Sequence, residues 1–417
     1  MENWTSDIQR FWTRYSILPN ELWIAGAGSG KTQKIITDAI KVIEAGGRVL
    51  VVTYTTNNQA ELRSRFVELH GASSEHFVVK GLFSFYLEDM VRPYQSAVFP
   101  NRIARHFFTE HNPHHLPGVF VKGRPVYIKD RAEELADGSV NPFHYLTACR
   151  TMAYSGYLAK LAALVAKRSK DAPAKRLKDI YGRIFFDEVQ DLVGWDYEAI
   201  KSLSKVMPDS ICCVGDFRQT IYSTTFGQKA PLKPQQKVDY FVVKLKFEKH
   251  SMPTNRRCIQ QICDLSDTIH PGLYDKTVSD VKKVPDEVSH HHGTFIVKQS
   301  QVADYLATFQ PQVLRWSSTT GTAYLPANLE CYTFGSSKGL GFDRVLVIPP
   351  DKHLKFIGGD AKAFDTDKTE ESRNKLYVAI TRARYSLAFV VEDKKLKGLP
   401  FPVWQAPAQP VAVKVEE

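Results

Sequence analysis

The sequence predicts an α/β protein with two domains, each built on a parallel sheet flanked by helices. The chain has 417 residues, too many for one ordinary hydrophobic core. Short, continuously apolar runs alternate with helical or polar stretches, as expected of strands buried on both faces of a parallel sheet. The runs form two series on either side of a proline-containing stretch, QKAPLKPQQK at 228–237, which we interpret as a hinge.

The first series predicts a domain at 1–235. Its runs lie at 22–27, 48–54, 76–81, 183–189 and 210–216. The series is interrupted from about 86 to 182, which is longer than an ordinary connection, so we predict an inserted, mainly helical subdomain there.

The second series predicts a domain at 236–395. Its runs lie at 239–245, 294–299, 312–317, 330–334, 344–349 and 386–391. The remaining residues, 396–417, are rich in proline and are predicted to form a flexible or loosely docked tail.

The second part of the insertion, 157–183, carries eight Lys or Arg residues against two Asp. Leu158, Leu161, Leu164 and Val165 give it an apolar stripe at helical spacing. The pattern predicts a basic amphipathic helix followed by a basic loop. Such a helix is either a nucleic-acid surface or an ordinary solvated face.

The composition bounds the functional class. A formal charge of +10 suits a partner with a phosphate backbone, although charge alone does not identify one. The six cysteines lack CxxC spacing, which argues against a zinc site or a disulfide framework and favours a reducing intracellular compartment. No run approaches a membrane span, and the amino terminus lacks a signal pattern, so we expect a soluble protein without a membrane partner.

The stretch AGAGSGKT at 25–32 follows an apolar run and precedes a helical pattern. Glycines there let backbone N–H groups point at phosphate oxygens, and the helix start adds its positive end. Lys31 is expected to reach the β- and γ-phosphates of ATP, and Thr32 to ligate Mg²⁺. The predicted nucleotide-binding residues are Gly26, Gly28, Ser29, Gly30, Lys31 and Thr32.

The stretch IFFDEVQD at 184–191 supplies the second half of a nucleotide site. A buried strand would deliver its carboxylates to the carboxyl edge of the sheet. Asp187 is predicted to hold Mg²⁺ through water, and Glu188 to orient and deprotonate the attacking water.

The stretch KLYVAITRAR at 375–384 has apolar residues at helical spacing and arginines at its end. Arginines in a last helical turn often only complement the helix dipole. Beside a phosphate loop they have a second use, because an arginine on the γ-phosphoryl group can increase hydrolysis about 10³- to 10⁵-fold. We predict this role for Arg382. Its side chain would reach the γ-phosphoryl group only when the two domains close around ATP.

Taken in order, these segments resemble the motifs of superfamily 1 helicases of the UvrD/Rep-like group. The resemblance spans about 30–384 and rests on seven stretches: AGAGSGKT, VVTYTTNNQAELRSRF, FFDEVQD, VGDFRQTIY, NRRC, TFGSSKGLGFDRVLVI and LYVAITRAR. It implies two RecA-like domains in a minimal form, because the interval between Arg257 and Thr333 is too short for the large accessory insertion of full-length members.

The resemblance also implies roles for further residues. Gln219 would sense the γ-phosphate, Arg257 would be a second catalytic arginine, and Gln9 would contact adenine. Tyr54 would stack on a base, unless it is an ordinary core aromatic at a strand end. The nucleic-acid contacts implied together are Tyr54, Tyr222, Phe226, Thr333 and Ser336.

The sequence departs from the family pattern at several of these places. Arg256 replaces a tyrosine that stacks on adenine, which a guanidinium plane can also do. Thr224 stands where a base-stacking tryptophan is usual, with Phe226 as a nearby substitute. Gly341 replaces a glutamate and Gly335 a histidine, changes that bear on ribose contacts and on coupling to the nucleic acid.

The resulting hypothesis is an ATP- and Mg²⁺-dependent helicase or translocase on single-stranded or partly duplex DNA, with the family's 3′-to-5′ polarity. The alternative is a nucleic-acid-stimulated ATPase that acts as a sensor or switch for a nuclease or another repair or defence protein. A small-molecule kinase is a third candidate, but it gives Gln219 and the two arginines no role.

Overall fold

The structure is a computed structural model of the chain, and it describes residues 19–221, 229–272, 274–367 and 369–406. The chain divides into two compact units. The first holds Met1–Ala25, Lys31–Phe217 and Tyr222–Ser251; the second holds Gly26–Gly30, Arg218–Ile221 and Met252–Glu417. The five residues of the phosphate loop therefore belong to the second unit, although the strand before them and the helix after them belong to the first.

The strands of the first unit are short, and those in the middle of its main sheet are buried. They are β1 (Glu21–Ala25), β2 (Val49–Thr53), β3 (Phe77–Gly81), β4 (Arg105–Phe107), β5 (His115–Val121), β6 (Arg124–Tyr127), β7 (Met152–Tyr154), β8 (Arg183–Asp187), β9 (Ile211–Gly215) and β10 (Glu248–Met252). Six of them form one sheet in the order β10-β1-β9-β8-β2-β3. The β1–β9, β9–β8, β8–β2 and β2–β3 pairs are parallel, which confirms the predicted sheet type.

Helices flank this sheet and build much of the insertion. They are α1 (Lys31–Glu44), α2 (Thr56–His70), α3 (Leu82–Phe85), α4 (Pro142–Tyr145), α5 (Ser155–Arg168), α6 (Ala172–Ile180), α7 (Trp195–Val206) and α8 (Pro234–Asp239). Helix α3 continues into a π-helical turn at Tyr86–Val91 and a 3₁₀ turn at Arg92–Ala97. The basic stretch at 157–183 forms α5 and then a second helix, α6, where the sequence predicted a loop.

The middle of the insertion contains two small sheets that the sequence analysis did not predict. Strands β4 and β7 form one, and the β5–β6 hairpin forms the other. The hairpin closes through Lys122 and Gly123, and both residues have positive φ. A two-residue turn needs this conformation if it is to match the twist of the two strands. Its distal residues are exposed on both faces, with Phe120 at 65% and Val121 at 60%.

The prediction of a strand at 239–245 was wrong. Helix α8 begins at Pro234, where the missing N–H costs nothing, and passes into a π-helical turn at Tyr240–Lys244. Only Phe241 of that turn is buried, whereas Val243 is 62% exposed, which a strand buried on both faces would not allow. The first unit also continues to Ser251, beyond the expected boundary at 235, because β10 lies beside β1.

The second unit contains a five-stranded sheet and a smaller strand pair. Its strands are β11 (Thr254–Asn255), β12 (Val278–Ser279), β13 (Gly293–Lys298), β14 (Gln312–Arg315), β15 (Cys331–Thr333), β16 (Phe342–Ile348) and β17 (Ala383–Val391). The main sheet has the order β13-β17-β16-β14-β15, and all of its pairs are parallel, as predicted. Its helices are α9 (Gln260–Asp267), α10 (Asp286–Ser289), α11 (Val302–Phe309), α12 (Asp351–Ile357) and α13 (Glu371–Ile380).

Two apolar clusters cover the faces of the second sheet. One joins Val345 and Leu387 of the sheet to Leu376 of α13, and the other joins Leu346 to Tyr305 of α11. The α/β class with helix-flanked parallel sheets is thus confirmed. Within the part of the chain that the structure describes, no helix is long and apolar enough to cross a bilayer.

One buried ion pair in the first unit generates a stability prediction. Arg183 of β8 is paired with Glu21 of β1, and both side chains are about nine-tenths buried. Replacing Glu21 by Ala is expected to lower the free energy of unfolding by about 3–5 kcal/mol, because the guanidinium stays buried without its counter-charge. Urea unfolding followed by tryptophan fluorescence measures the change.

The exposed pair of Arg65 and Glu61 provides the control, since about half of each side chain is in solvent. Glu61→Ala is expected to cost about 1 kcal/mol or less. Equal losses for the two variants would contradict the assigned role of burial.

Candidate nucleotide-binding site

The phosphate loop, Gly26–Gly30, runs from the end of β1 to the start of α1. Gly28 and Gly30 have φ of 71° and 88°, a region where a side chain is strained, so the curl of the loop depends on these glycines. The Oγ of Ser29 is buried and has no hydrogen-bond partner among the described residues. A buried hydroxyl without a partner is costly, and a phosphate oxygen would satisfy it. The loop therefore fits a phosphate group.

The carbonyl groups of the loop are held by the Asn255–Arg256 segment within the second unit. Asn255 Nδ2 donates to Ala27 O at 2.9 Å, and the amide of Arg256 donates to Gly28 O at 2.9 Å. The guanidinium of Arg256 donates to Ser29 O at 3.2 Å. Arg256, predicted to stack on adenine, is thus bonded to the loop backbone through its side chain.

Arg218 is a residue that the sequence analysis missed. Its guanidinium is buried and lies 4.8 Å from the ring centroids of both Tyr274 and Tyr377, with Asp267 Oδ1 at 3.4 Å. A Cβ on Gly26 would lie 2.6 Å from Arg218 Nη2, so the first loop glycine leaves room for this cation. The only signal in the sequence was an arginine beside Gln219 in VGDFRQTIY.

The tyrosine on one side of Arg218 also reaches the loop, since the amide of Ala27 donates to Tyr377 Oη at 3.2 Å. Gln219 is buried at the end of the 3₁₀ turn Phe217–Gln219, next to Arg218. The carbonyl of the following residue, Thr220, accepts from Asn374 Nδ2 at 2.9 Å. Helix α13 thereby fixes the segment that carries Gln219.

The two predicted catalytic arginines come together at one carbonyl group. Arg257 Nη1 donates to Leu340 O at 3.4 Å, and Arg382 Nη1 donates to the same oxygen at 2.8 Å. The Cβ of Arg257 would lie 2.7 Å from a Cβ on Gly28, so Arg257 also lies against the phosphate loop. A Cβ on Gly341 would lie 3.4 Å from the Arg257 side chain, so a residue at 341 borders this arginine.

Arg382 itself is almost completely buried, with 1% of its surface exposed. Its Nε donates to Val378 O at 3.0 Å, and its Nη2 donates to Thr381 Oγ1 at 3.1 Å. These bonds and the bond to Leu340 O engage all three nitrogens with α13, its C-cap residue Thr381 and the turn before β16. The residue therefore has a structural function in addition to any catalytic one.

The acidic part of the predicted site lies in the first unit at the end of β8. The Oδ2 of Asp187 accepts from Thr53 Oγ1 at 3.2 Å, whereas its buried Oδ1 has no hydrogen-bond partner in the described chain. Burial raises the pKa of Asp187, and Glu188 raises it further, while Lys31 acts in the opposite direction. A divalent cation would neutralise this carboxylate, so Asp187, with Thr32 at the start of α1, fits Mg²⁺.

Glu188 is held in an unusual backbone conformation with φ of 55° and ψ of 41°. Its carboxylate accepts a hydrogen bond from Gln190 Nε2. The same Gln190 side chain accepts from the amide of Asp216 at 3.0 Å, and it is completely buried. Gln190 is a second residue that the sequence analysis missed; it positions Glu188 relative to the end of β9.

The predicted nucleic-acid residues fall in separate places. Tyr54, directly after β2, is half-buried, with its ring 5.9 Å from that of Phe83. In the second unit, Thr333 and Ser336 close a turn on each other: each amide donates to the other hydroxyl, at 2.9 and 3.2 Å. Gln9, Tyr222, Phe226 and residues 407–417 of the predicted tail lie outside the described residues.

Comparisons with known proteins bear on the class of this site. Residues 14–112, about a quarter of the chain, match the family model of the UvrD/REP helicase N-terminal domain. No curated protein matches the chain. The family match supports the broad class of nucleic-acid helicases.

Several solved structures resemble the chain at low identity. The arterivirus nonstructural protein 10 helicase is 16% identical with a TM-score of 0.42, over 91% of this chain and 62% of that one. The PRRSV helicase is also 16% identical with a TM-score of 0.42, and the match covers 96% of this chain and 57% of that one. A complex of the arterivirus helicase with DNA is 15% identical with a TM-score of 0.41, and that match covers 91% of this chain and 63% of the other. The chain spans about three fifths of the length of these proteins.

The environment of Asp187 generates a prediction about metal binding. Asp187→Asn is expected to raise the unfolding temperature of the metal-free protein, because a neutral amide removes the cost of a buried charge beside Glu188. The same variant should lose the stabilisation that Mg²⁺ gives the natural protein. Thermal unfolding with and without MgCl₂ measures both effects.

Asp196 is a matched control, because it is buried and its two oxygens accept from Tyr86 Oη and the amide of Val193, each at 2.8 Å. Asp196→Asn should lower the unfolding temperature and keep the Mg²⁺ response. A metal-free Asp187→Asn protein that is less stable and still responds to Mg²⁺ would argue against this site.

Proposed function

We propose that the chain is an ATP-dependent helicase or translocase that acts on single-stranded DNA. The observation that carries the proposal is the pair of carboxylates beside Lys31 in the first unit. Thr53 holds Asp187 and Gln190 holds Glu188, and the unpartnered oxygen of Asp187 fits a divalent cation. Nucleotide hydrolysis is the chemistry that needs a phosphate-binding lysine, a metal-binding carboxylate and a general base together.

The residues of the first unit then have distinct tasks. Lys31 binds the β- and γ-phosphates, and Thr32 and Asp187 hold Mg²⁺, which neutralises phosphate charge when bound. Glu188 accepts the proton of the attacking water, and Gln190 keeps that carboxylate oriented through its own bond to the amide of Asp216.

The second unit supplies positive charge. Arg257 lies against Gly28, and Arg218 lies at Gly26, so two guanidinium groups border the phosphate loop. Arg257 stabilises the charge that develops on the transferred phosphoryl group. Arg382 holds the Leu340 carbonyl to which Arg257 also donates, and it adds its own charge. Gln219 reports the state of the γ-phosphate to the rest of its segment.

DNA as the substrate and a 3′-to-5′ direction follow from the family resemblance. The strand would be gripped through its phosphates, without sequence preference. Comparison of ATPase rates with single-stranded DNA, duplex DNA and RNA identifies the substrate. Translocation on tailed duplexes then separates a motor from an ATPase that only switches a partner.

The assigned chemistry predicts that Lys31→Ala and Glu188→Gln abolish DNA-stimulated ATP hydrolysis. The first removes the phosphate-binding charge, and the second removes the general base while it keeps the shape of the side chain. Steady-state phosphate release measures the rate, and circular dichroism checks that the fold is retained.

Lys41, in the last turn of α1 with a 65% exposed side chain, provides a control in the same helix. Lys41→Ala should hydrolyse ATP at the natural rate. Retained DNA-stimulated hydrolysis in Lys31→Ala or Glu188→Gln would refute the roles given to these two residues.

The two arginines should respond differently to substitution. Arg257→Ala is expected to lower kcat about 10³-fold with little change in unfolding temperature, because its side chain is only half-buried. Arg382→Ala should lower both kcat and unfolding temperature, since it leaves the carbonyls of Leu340 and Val378 without their buried donor. An Arg382→Ala protein of natural stability would contradict the bonding described here.

A further inference from the structure

Four aromatic rings of the first unit, from Tyr54, Phe83, His106 and Phe108, are connected by ring contacts, and we call this group the aromatic row. Tyr54 lies edge-on to Phe83 at 5.9 Å, and Phe83 lies 5.8 Å from His106 and 5.1 Å from Phe108. His106 and Phe108 are themselves 5.2 Å apart. The rings come from three parts of the chain: the end of β2, helix α3, and strand β4 with the residue after its end.

The row begins half-buried and ends in solvent. Tyr54, Phe83 and His106 are each partly covered, whereas Phe108 is 62% exposed and the preceding Phe107 is 45% exposed. A cluster that served only the core would bury its outermost ring. Here the most exposed ring, Phe108, is one of the two that the insertion contributes.

The chain around Phe108 carries positive charge. Residues 90–109 contain Arg92, Arg102 and Arg105 and no Asp or Glu. Arg102 and Arg105 are exposed close to Phe108 in sequence. The nearest carboxylates along the chain are Glu110 and Asp89, and Asp89 is buried in an ion pair with Lys80 at 2.7 Å. Arginines in the same segment as exposed rings suit a nucleic-acid strand, whose phosphates attract cations and whose bases stack on aromatic rings.

Burial lowers the pKa of His106, although the carboxylate of Glu88 acts in the opposite direction. The imidazole is therefore neutral at pH 7 and contributes a ring face rather than a charge. The arginines of the same segment, Arg102 and Arg105, keep their charge throughout the physiological pH range.

We propose that Phe108, together with Phe83 and His106, extends the stacking surface of Tyr54 and binds unpaired bases of a single strand. The inference rests on the proposed function, and it deepens that function by giving the insertion a direct part in nucleic-acid binding. The surface takes bases of any sequence, because every base presents a π face to an aromatic ring. It requires single strands, because the bases of a duplex are already stacked on one another.

The test compares two exposed phenylalanines of the same insertion. Phe108→Ala removes a ring of the row, and Phe120→Ala removes an equally exposed ring, at 65%, from the tip of the β5–β6 hairpin. Loss of one stacked base is expected to weaken binding of fluorescein-labelled oligo(dT) about 5- to 150-fold in Phe108→Ala. Phe120→Ala should bind as the natural protein does, and Phe108→Trp should restore binding. Fluorescence anisotropy measures all four proteins.

An abasic oligonucleotide of the same length separates stacking from charge. With no bases to stack, the natural protein and Phe108→Ala should bind it equally well. Equal binding of oligo(dT) by these two proteins would overturn the inference and leave the proposed function standing, and so would an equal loss in Phe120→Ala. A natural protein that binds no single strand would overturn both.

Discussion

The hydrogen bond from Thr53 to Asp187 is the contact on which the candidate site depends. It follows from the register of two neighbouring strands. Val52 of β2 pairs with Phe186 of β8, so the residue that follows each of them, Thr53 in β2 and Asp187 in β8, lies opposite the other. A register slip of one residue would send the carboxylate to the other face of the sheet. The buried runs of β2 and β8 prevent such a slip, so the apolar core sets the position of the Asp187 carboxylate.

The same strand end connects two functions. Thr53 holds the carboxylate proposed to bind Mg²⁺, and the next residue, Tyr54, begins the aromatic row. One peptide bond separates a residue of the proposed hydrolytic site from a residue of the proposed base-binding surface.

Much of this fold could be predicted because it depends on local patterns. Apolar runs predicted five of the six strands of the first sheet and all five of the second, whereas the polar strand β10 was missed. The prediction failed at 239–245, where a short apolar run is equally compatible with helix and strand and only tertiary packing decides. The small sheets around β4 and β5 were missed because their residues are largely exposed and show no alternation.

The site residues that escaped prediction act through contacts distant in sequence. Arg218 matters because it meets the loop at Gly26, and Gln190 because it joins Glu188 to the amide of Asp216. Arg382 was predicted to act on the γ-phosphoryl group when the domains close, and its donors bind two carbonyls and one hydroxyl of its own unit. No spacing rule reveals which guanidinium a fold will bury.

The hairpin of β5 and β6 has a practical consequence. Its tip carries Lys122 and Arg124 around Gly123 with both faces in water, whereas its base is fixed by the buried His114, whose ring stacks on Tyr157 at 4.1 Å. A trypsin-like protease is therefore expected to cleave this exposed turn before it cleaves any bond inside either main sheet. The nicked halves would stay associated through the anchored base, so limited digestion offers a way to open this loop without dismantling the protein.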